Sequence, residues 1–234
     1  EKMNLSSVNS INWCRVVVQS VHYFYGYYRA VEQVGDKINF SVPSGAFGNL
    51  FGGYLARSMG LPVNKFICAN NANQALHTIF SSGVFAKKDL VQTISTAIDI
   101  VVPYNFWRFL YYCTGSDSEK LKVWQDEFKN SGKVEFDAAT LTAIQNGFVS
   151  VTVSDYETSK TIKDTFETCD GYLLDPHTAV ALAAANTLKN TLPKKMKVIC
   201  LATAHPAKFP ETTRACLEAG TEMPDQGKHV SLER

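Results

Sequence analysis

The 234-residue sequence has no C-x-x-C pair, no cysteine and histidine set at zinc spacing, no surplus of either charge and no long unbroken apolar run. Each absence closes a class of protein. The 6 cysteines, Cys14, Cys68, Cys113, Cys169, Cys200 and Cys216, lie far apart, several inside apolar runs (FICAN, VICLAT) where a free thiol packs as a small hydrophobe. That pattern sets aside a disulfide scaffold and a metal site, and a reducing, cytoplasmic compartment is the expectation. With 23 Lys+Arg against 22 Asp+Glu, a formal net charge of +1, and no basic stripe interleaved with aromatics, no nucleic-acid partner is expected. The most aromatic stretch, Val16 to Val31, is broken by Gln19, His22 and Arg29, short of the roughly 18 apolar residues that a membrane helix needs. It reads as a core helix, with no membrane partner. The opening EKMNLSSVNSINW has no basic n-region followed by an apolar h-region, so no secretion signal is expected, and no fixed-period repeat occurs.

What is present is the composition of a globular enzyme, 45% hydrophobic and 19% charged, in a chain long enough for one large domain or two small ones. Helical periodicity runs from Ser10 to Val34. The apolar run Ile38 to Val42 then passes through SVPSGAFGN into a helical stretch, Leu50 to Ser58, and Val63 to Ala69 reads as a second strand ending at Asn70-Asn71-Ala72-Asn73. This is a β-α-β unit, with parallel strands and a right-handed crossover. Both the glycine loop and the Asn cluster should then lie at the carboxyl ends of neighbouring strands, where ligands bind. A strand that turns tightly into a helix leaves N–H groups unpaired and aims the positive end of the helix dipole at the turn, which favours a phosphate. Close packing of helix on strand would also explain the glycines.

The stretch 116–165 is charged and Ser/Thr-rich, which predicts a peripheral helical excursion rather than buried sheet. Order returns with YLLDP (Tyr172 to Pro176) as a strand, an Ala-rich helix from His177, and the strand KVICLATAHPAKF (Lys197 to Phe209), a second β-α-β unit. Asp175 fits an N-cap and His177 a buried, satisfied ring. Ser95, Thr96 and Asp99 suit either substrate contacts or capping and turn formation. The histidines show no spacing with a Ser or Cys nucleophile that would suit triad hydrolysis.

The phrases NSINWCR (Asn9 to Arg15), SVPSGAFGN (Ser41 to Asn49), TISTAIDI (Thr93 to Ile100), LLDPHTAV (Leu173 to Val180) and TAHPAKF (Thr203 to Phe209) resemble, in order, signatures of threonine synthase. That family belongs to the pyridoxal-phosphate (PLP) enzymes of fold type II. The resemblance implies an α/β fold, a three-layer parallel sheet of the tryptophan synthase β-like type. The first part of the PLP-binding domain would be 1–115, the excursion 116–165 and the remainder 166–234. It implies that Ser44, Gly45, Ala46, Phe47, Gly48 and Asn49 cradle the cofactor phosphate, and that the Thr203 hydroxyl faces the pyridine nitrogen. Thr203 capping its strand, His205 capping backbone and Lys208 pairing with a carboxylate are the plainer readings of that segment. Asn9, Ser10 and Arg15 are candidates for holding a small, phosphorylated amino acid.

The sequence departs from the family in two places. The family commonly has Gly-Asn-Phe-Gly in the phosphate loop, whereas Ala46 stands in the Asn position here, as in threonine synthase-like phospholyases. The family's Schiff-base lysine lies in an AFKD-like segment upstream of NSINW, and Lys37, Lys65 and Lys208 have no such context. The expectation is therefore a carboxyl-terminal part of a longer protein, inactive alone, whose partner is the missing amino-terminal part. The reaction implied is O-phospho-L-homoserine and water to L-threonine and phosphate. The alternatives are release of 2-oxobutyrate, ammonia and phosphate by a phospholyase, or a non-catalytic binding module.

Overall fold

The computed structural model describes residues 8–217. Helix α1 (Trp13–Ala30) starts at Asn12, whose side chain accepts the Cys14 N–H, and buries one face through Val16, Ser20, Tyr23 and Tyr27. Strand β1 (Ile38–Pro43), helix α2 (Gly48–Ser58) and strand β2 (Val63–Asn70) follow, with β1 and β2 parallel from Ile38–Val63 to Pro43–Ala69. The β-α-β unit read from the sequence is present.

After β2 the chain forms α3 (Ala75–Ser82) and β3 (Val84–Ala86), and a loop with one short 3-10 turn leads to α4 (Phe106–Cys113) and α5 (Ser118–Ser131). The short strand β4 (Lys133–Glu135) pairs antiparallel with β3, away from the main sheet. Helix α6 (Ala138–Gln145), strand β5 (Phe148–Thr152), helices α7 (Asp155–Thr168) and α8 (Pro176–Leu188), strand β6 (Val198–Cys200) and helix α9 (Pro210–Cys216) complete the described chain. The main sheet has the order β5-β2-β1-β6 and is parallel throughout.

Alternation along the strands divides the core between two faces. Phe66 and Cys68 of β2 join Phe40, Val42 and Phe148 under α1 and α2, whereas Ile67 and Ala69 pack with Val180 and Ala184 of α8. The alanines of α8 let it lie close on the sheet, where Ser41 Oγ donates to Ala181 O at 2.6 Å. Helix, sheet and helix make three layers, as the resemblance implies. All six cysteines are free; burial pushes the thiols of Cys68 and Cys113 up to about 12 and that of Cys200 to about 11. No helix among the described residues is long and apolar enough to cross a membrane.

Two sequence expectations need correction. The stretch 116–165 does form helices, α5 capped by Asp117, α6 by Asp137, and α7 by a Ser154–Glu157 capping box. It also contributes β5 to the main sheet, beside β2, because the five-residue run FVSVT buries Phe148 and Val151. The charged, Ser/Thr-rich surroundings, α5 before it and α7 directly after it, conceal that strand. Residues Tyr172 to Pro176 are not a strand. Leu173 and Leu174 pack against Ile162 and Leu217 while Asp175 and Pro176 already begin α8, so β5, not YLLDP, is the sheet strand that precedes α8. The expected last part, 166–234, is described as far as Leu217; its remainder lies outside the described residues.

Candidate active site

Strand β1 ends at Pro43, and four residues carry the chain into α2. The Ser44 N–H donates to Ala69 O at 2.8 Å and its hydroxyl to Val42 O at 3.1 Å, fixing the exit from the sheet. Phe47 sits at φ 65 in the left-handed region, a conformation that costs a non-glycine residue about 1–3 kcal/mol. Its ring is clamped by Phe106 and Phe109, with centroids at 5.3 and 5.4 Å, so aromatic packing holds the strained turn in place. Gly45 and Gly48 permit close approach. A Cβ on Gly45 would lie 2.9 Å from the Ile98 backbone, and one on Gly48 only 2.6 Å from Ser10 Cβ.

Helix α2 has no side-chain cap at its start, in contrast to α1, α5, α6, α7 and α8. The N–H groups of Gly45, Ala46, Phe47, Gly48 and Asn49 donate to no acceptor among the described residues. A buried donor without an acceptor costs about 1–3 kcal/mol, so a run of them at a positive helix end is a cradle for an anion. The close-packing reading of the glycines holds as well. Packing brings Ile98 and Ser10 against the loop, and the same turn leaves its N–H groups without acceptors among the described residues.

That turn forms one wall of a cleft of about 570 Å³ lined by Ser44, Gly45, Ala46, Phe47, Gly48 and Asn49. Asn9, Ser10 and Arg15, at the start of α1, line the same cleft, and so does Thr203, three residues after β6. Tertiary structure thus brings to one cleft the residues that the resemblance implies for cofactor and substrate. Ser10 is fixed by a 2.8 Å hydrogen bond between its hydroxyl and Tyr104 Oη, and by Arg108, which donates to Ser10 O at 2.9 Å. Arg15 donates to Val8 O at 2.8 Å. Thr203 is exposed to the cleft rather than bonded as a strand cap. His205 does cap backbone, accepting the Ala207 N–H at 3.2 Å, whereas Lys208 lines the cleft with no carboxylate partner among the described residues.

Asp175 is the N-cap of α8, and both of its oxygens are fully used. Oδ1 accepts from the His177 N–H at 2.9 Å and from His177 Nδ1 at 2.8 Å; Oδ2 accepts from the Thr178 N–H and hydroxyl. His177 Nε2 accepts the Ala97 N–H at 2.9 Å, which fixes the ring as the neutral Nδ1–H tautomer. The ring therefore ties α8 to the 3-10 turn Thr96–Ile98, and Ile98 in turn closes on Gly45. His177 lines the cleft but acts as a strut.

The Asn cluster after β2 does not reach the cleft. Asn71 Nδ2 donates to Thr93 Oγ1, Ser95 Oγ and Asp99 Oδ1, and Asn73 Nδ2 donates to Asp99 Oδ1 and Val91 O. These groups satisfy one another and stitch the end of β2 to the following loop, which settles Ser95 and Asp99 as structural.

Sequence reasoning passed over Gln19 and His22, which also line the cleft. They fall four and seven residues after Arg15, on one face of α1, and break an otherwise apolar helix; that interruption was the available signal. His22 Nε2 bonds Asn49 Oδ1 at 3.1 Å, and Tyr23 Oη donates to the same oxygen at 2.8 Å, so α1 fixes the side chain in the first turn of α2. Burial lowers the His22 pKa below its ordinary 6.5, against the opposing bond to Asn49, and burial raises that of Tyr23 well above 10.0.

Comparison with known proteins points to one family. A family model described as threonine synthase, C-terminal, matches residues 178–232. The threonine synthase of Saccharomyces cerevisiae is 38% identical over 231 residues, covering 92% of this chain and 45% of that protein. The chain belongs to the threonine synthase family. Human threonine synthase-like 2 is 34% identical over 238 residues, 100% of this chain and 48% of that protein. The PLP-bound threonine synthase of Brucella melitensis superposes with a TM-score of 0.85 at 35% identity, over 94% of this chain and 46% of that one. The fold is accordingly that of the fold type II PLP enzymes. The chain spans about half the length of the threonine synthases it matches.

Proposed function

We propose that this chain is the carboxyl-terminal part of a cytoplasmic, PLP-dependent threonine synthase, which converts O-phospho-L-homoserine and water to L-threonine and phosphate. One observation carries the reading: the run of N–H groups from Gly45 to Asn49 that finds no acceptor among the described residues, at an uncapped helix start that lines one cleft with Thr203. The residues fit the cofactor. Gly45, Ala46, Phe47, Gly48 and Asn49 would hold its phosphate by backbone donors, and the Thr203 hydroxyl would meet its pyridine nitrogen with a neutral partner. When bound, PLP supplies an electron sink for charge developing on the substrate carbons.

The rest falls to the protein. Asn9, Ser10 and Arg15 line the same cleft and would orient the anionic groups of the substrate, with Ser10 held in place by Tyr104 and Arg108 before anything binds. The Phe47 clamp and the His22–Asn49–Tyr23 bonds keep the cradle rigid. The proton-transferring lysine would come from the other part of the polypeptide.

Ala46 favours a second reading. With a methyl where the family commonly has an amide, one side-chain hydrogen-bonding group near the cofactor is lost, and release of 2-oxobutyrate, ammonia and phosphate becomes the competing outcome. The test is to extend the reading frame upstream, express the whole polypeptide, supply PLP and O-phosphohomoserine, and identify the carbon product. Threonine supports the synthase reading, 2-oxobutyrate the phospholyase, and neither product with PLP bound leaves a binding module.

A further inference from the structure

Helix α1 carries two apolar stripes where a surface helix carries one. The first, through Val16, Ser20, Tyr23 and Tyr27, is buried against the sheet. The second runs through Cys14, Val18, Val21, Tyr25 and Tyr28, spaced alternately four and three residues apart, and faces outward. Val18 is 61% exposed, Val21 63%, Tyr25 65% and Tyr28 59%, and Cys14 is exposed as well. Alternate spacings of four and three are the seam pattern by which one helix takes the side chains of another between its own. A helix that is apolar on opposite faces is an interior helix.

The charges around the stripe say what fits it. Helix α1 holds Arg15 and Arg29 at its two ends and no acidic residue between them. Arg29 lies 5.8 Å from the Tyr25 ring, at the edge of the stripe. Two copies packed antiparallel would bring the Arg15 end of one against the Arg29 end of the other, cation on cation. Neither 1–7 nor 218–234 contains a matching apolar repeat. The threonine synthases it matches are about twice as long as this chain.

We infer that the outward stripe of α1 is a helix–helix seam filled by an amphipathic helix, apolar on one face and flanked by acidic residues, from the other part of the same longer polypeptide. The inference rests on the longer polypeptide of the proposed function, but not on its chemistry. It also places the cleft, which opens from the adjacent face of α1 through Arg15, Gln19 and His22, beside the boundary between the two parts.

Cys14 reports on the seam without mutation. The longer polypeptide and this 234-residue chain are labelled with a maleimide, and modification of Cys14 and of the exposed Cys169 is followed separately by mass spectrometry. The expected result is that Cys14 labels about tenfold or more slowly in the longer polypeptide, Cys169 serving as the internal reference. Val21→Glu should restore fast labelling of Cys14 there while leaving the melting temperature of the 234-residue chain unchanged. Equal Cys14 rates in the two proteins overturn the inference, as does the absence of a longer reading frame. A dimer of this chain in sedimentation that Val21→Glu dissolves overturns it in favour of a second copy. PLP binding is scored on the same samples: protected Cys14 without cofactor binding counts against the proposed function alone, and bound cofactor with unprotected Cys14 counts against the seam alone.

Discussion

The starts of α2 and α8 solve the same problem in opposite ways. Both helices begin at the edge of one cleft and both are buried at their first turn. At α8 the positive end is met by the Asp175 carboxylate, which accepts from His177 and Thr178, and Pro176 removes one donor outright. At α2 the corresponding position is Phe47, which offers no acceptor, and the preceding turn adds further unpaired N–H groups. A helix start supplied with its own anion is architecture; one left without, at the wall of a cleft, has donors to offer an anion from outside. The difference lies in a single residue type at the N-cap, set against the same dipole.

The comparison can be broken or sharpened by experiment. The largest expected effect is Asp175→Ala, which strips the acceptor from several buried donors at once and should lower chain stability by about 3 kcal/mol in urea denaturation. A loss within error would mean that α8 does not depend on its internal anion. Next is Gly48→Asp, which supplies α2 with a carboxylate where a Cβ already meets Ser10; PLP affinity of the longer polypeptide should fall about 100-fold, close to 2.7 kcal/mol. Gly48→Ala brings the same Cβ without charge, and its smaller loss isolates the electrostatic part. Unchanged affinity in both variants would remove this loop from the site. Tyr23→Phe removes one donor to Asn49 and should cost about 1 kcal/mol, read as a lowered melting temperature.

The smallest effect is a pH dependence. The folded state holds the His22 pKa below 6.5, so in the window below that value the unfolded chain binds more protons than the folded one. Stability from this group is therefore complete above 6.5 and declines as pH falls toward the lowered folded value. The slope of stability between about pH 7.5 and about pH 5.5 should be shallower in His22→Asn than in the parent. Identical slopes would assign the dependence to other groups.

The unit from β1 to β2 was legible because its signals are local: alternating apolar residues, closely set glycines and a helical period within one short stretch. Strand β5 was hidden, because the five residues Phe148 to Thr152, between the short helix α6 and the charged helix α7, are too few to show a period in a charged, Ser/Thr-rich stretch. Tyr172 to Pro176 misled for the opposite reason, an apolar run that packs its leucines as loop while Asp175 opens a helix. The Asn cluster misled because polar residues at a strand end look like ligand contacts until Asn71, Asn73, Thr93 and Asp99 are seen to satisfy one another. Gln19 and His22 were visible only as interruptions; what they interrupt α1 for emerged with the cleft.

By itself the sequence determined the parallel β-α-β frame, the glycine turn into α2 and the family motifs in their order, since each is written in residues that are near neighbours in the chain. Tertiary structure alone decided which of those groups remain unpaired. Whether a donor finds an acceptor depends on partners distant in sequence, as His177 meets Ala97 and Ser10 meets Tyr104, and no local pattern records the pairing.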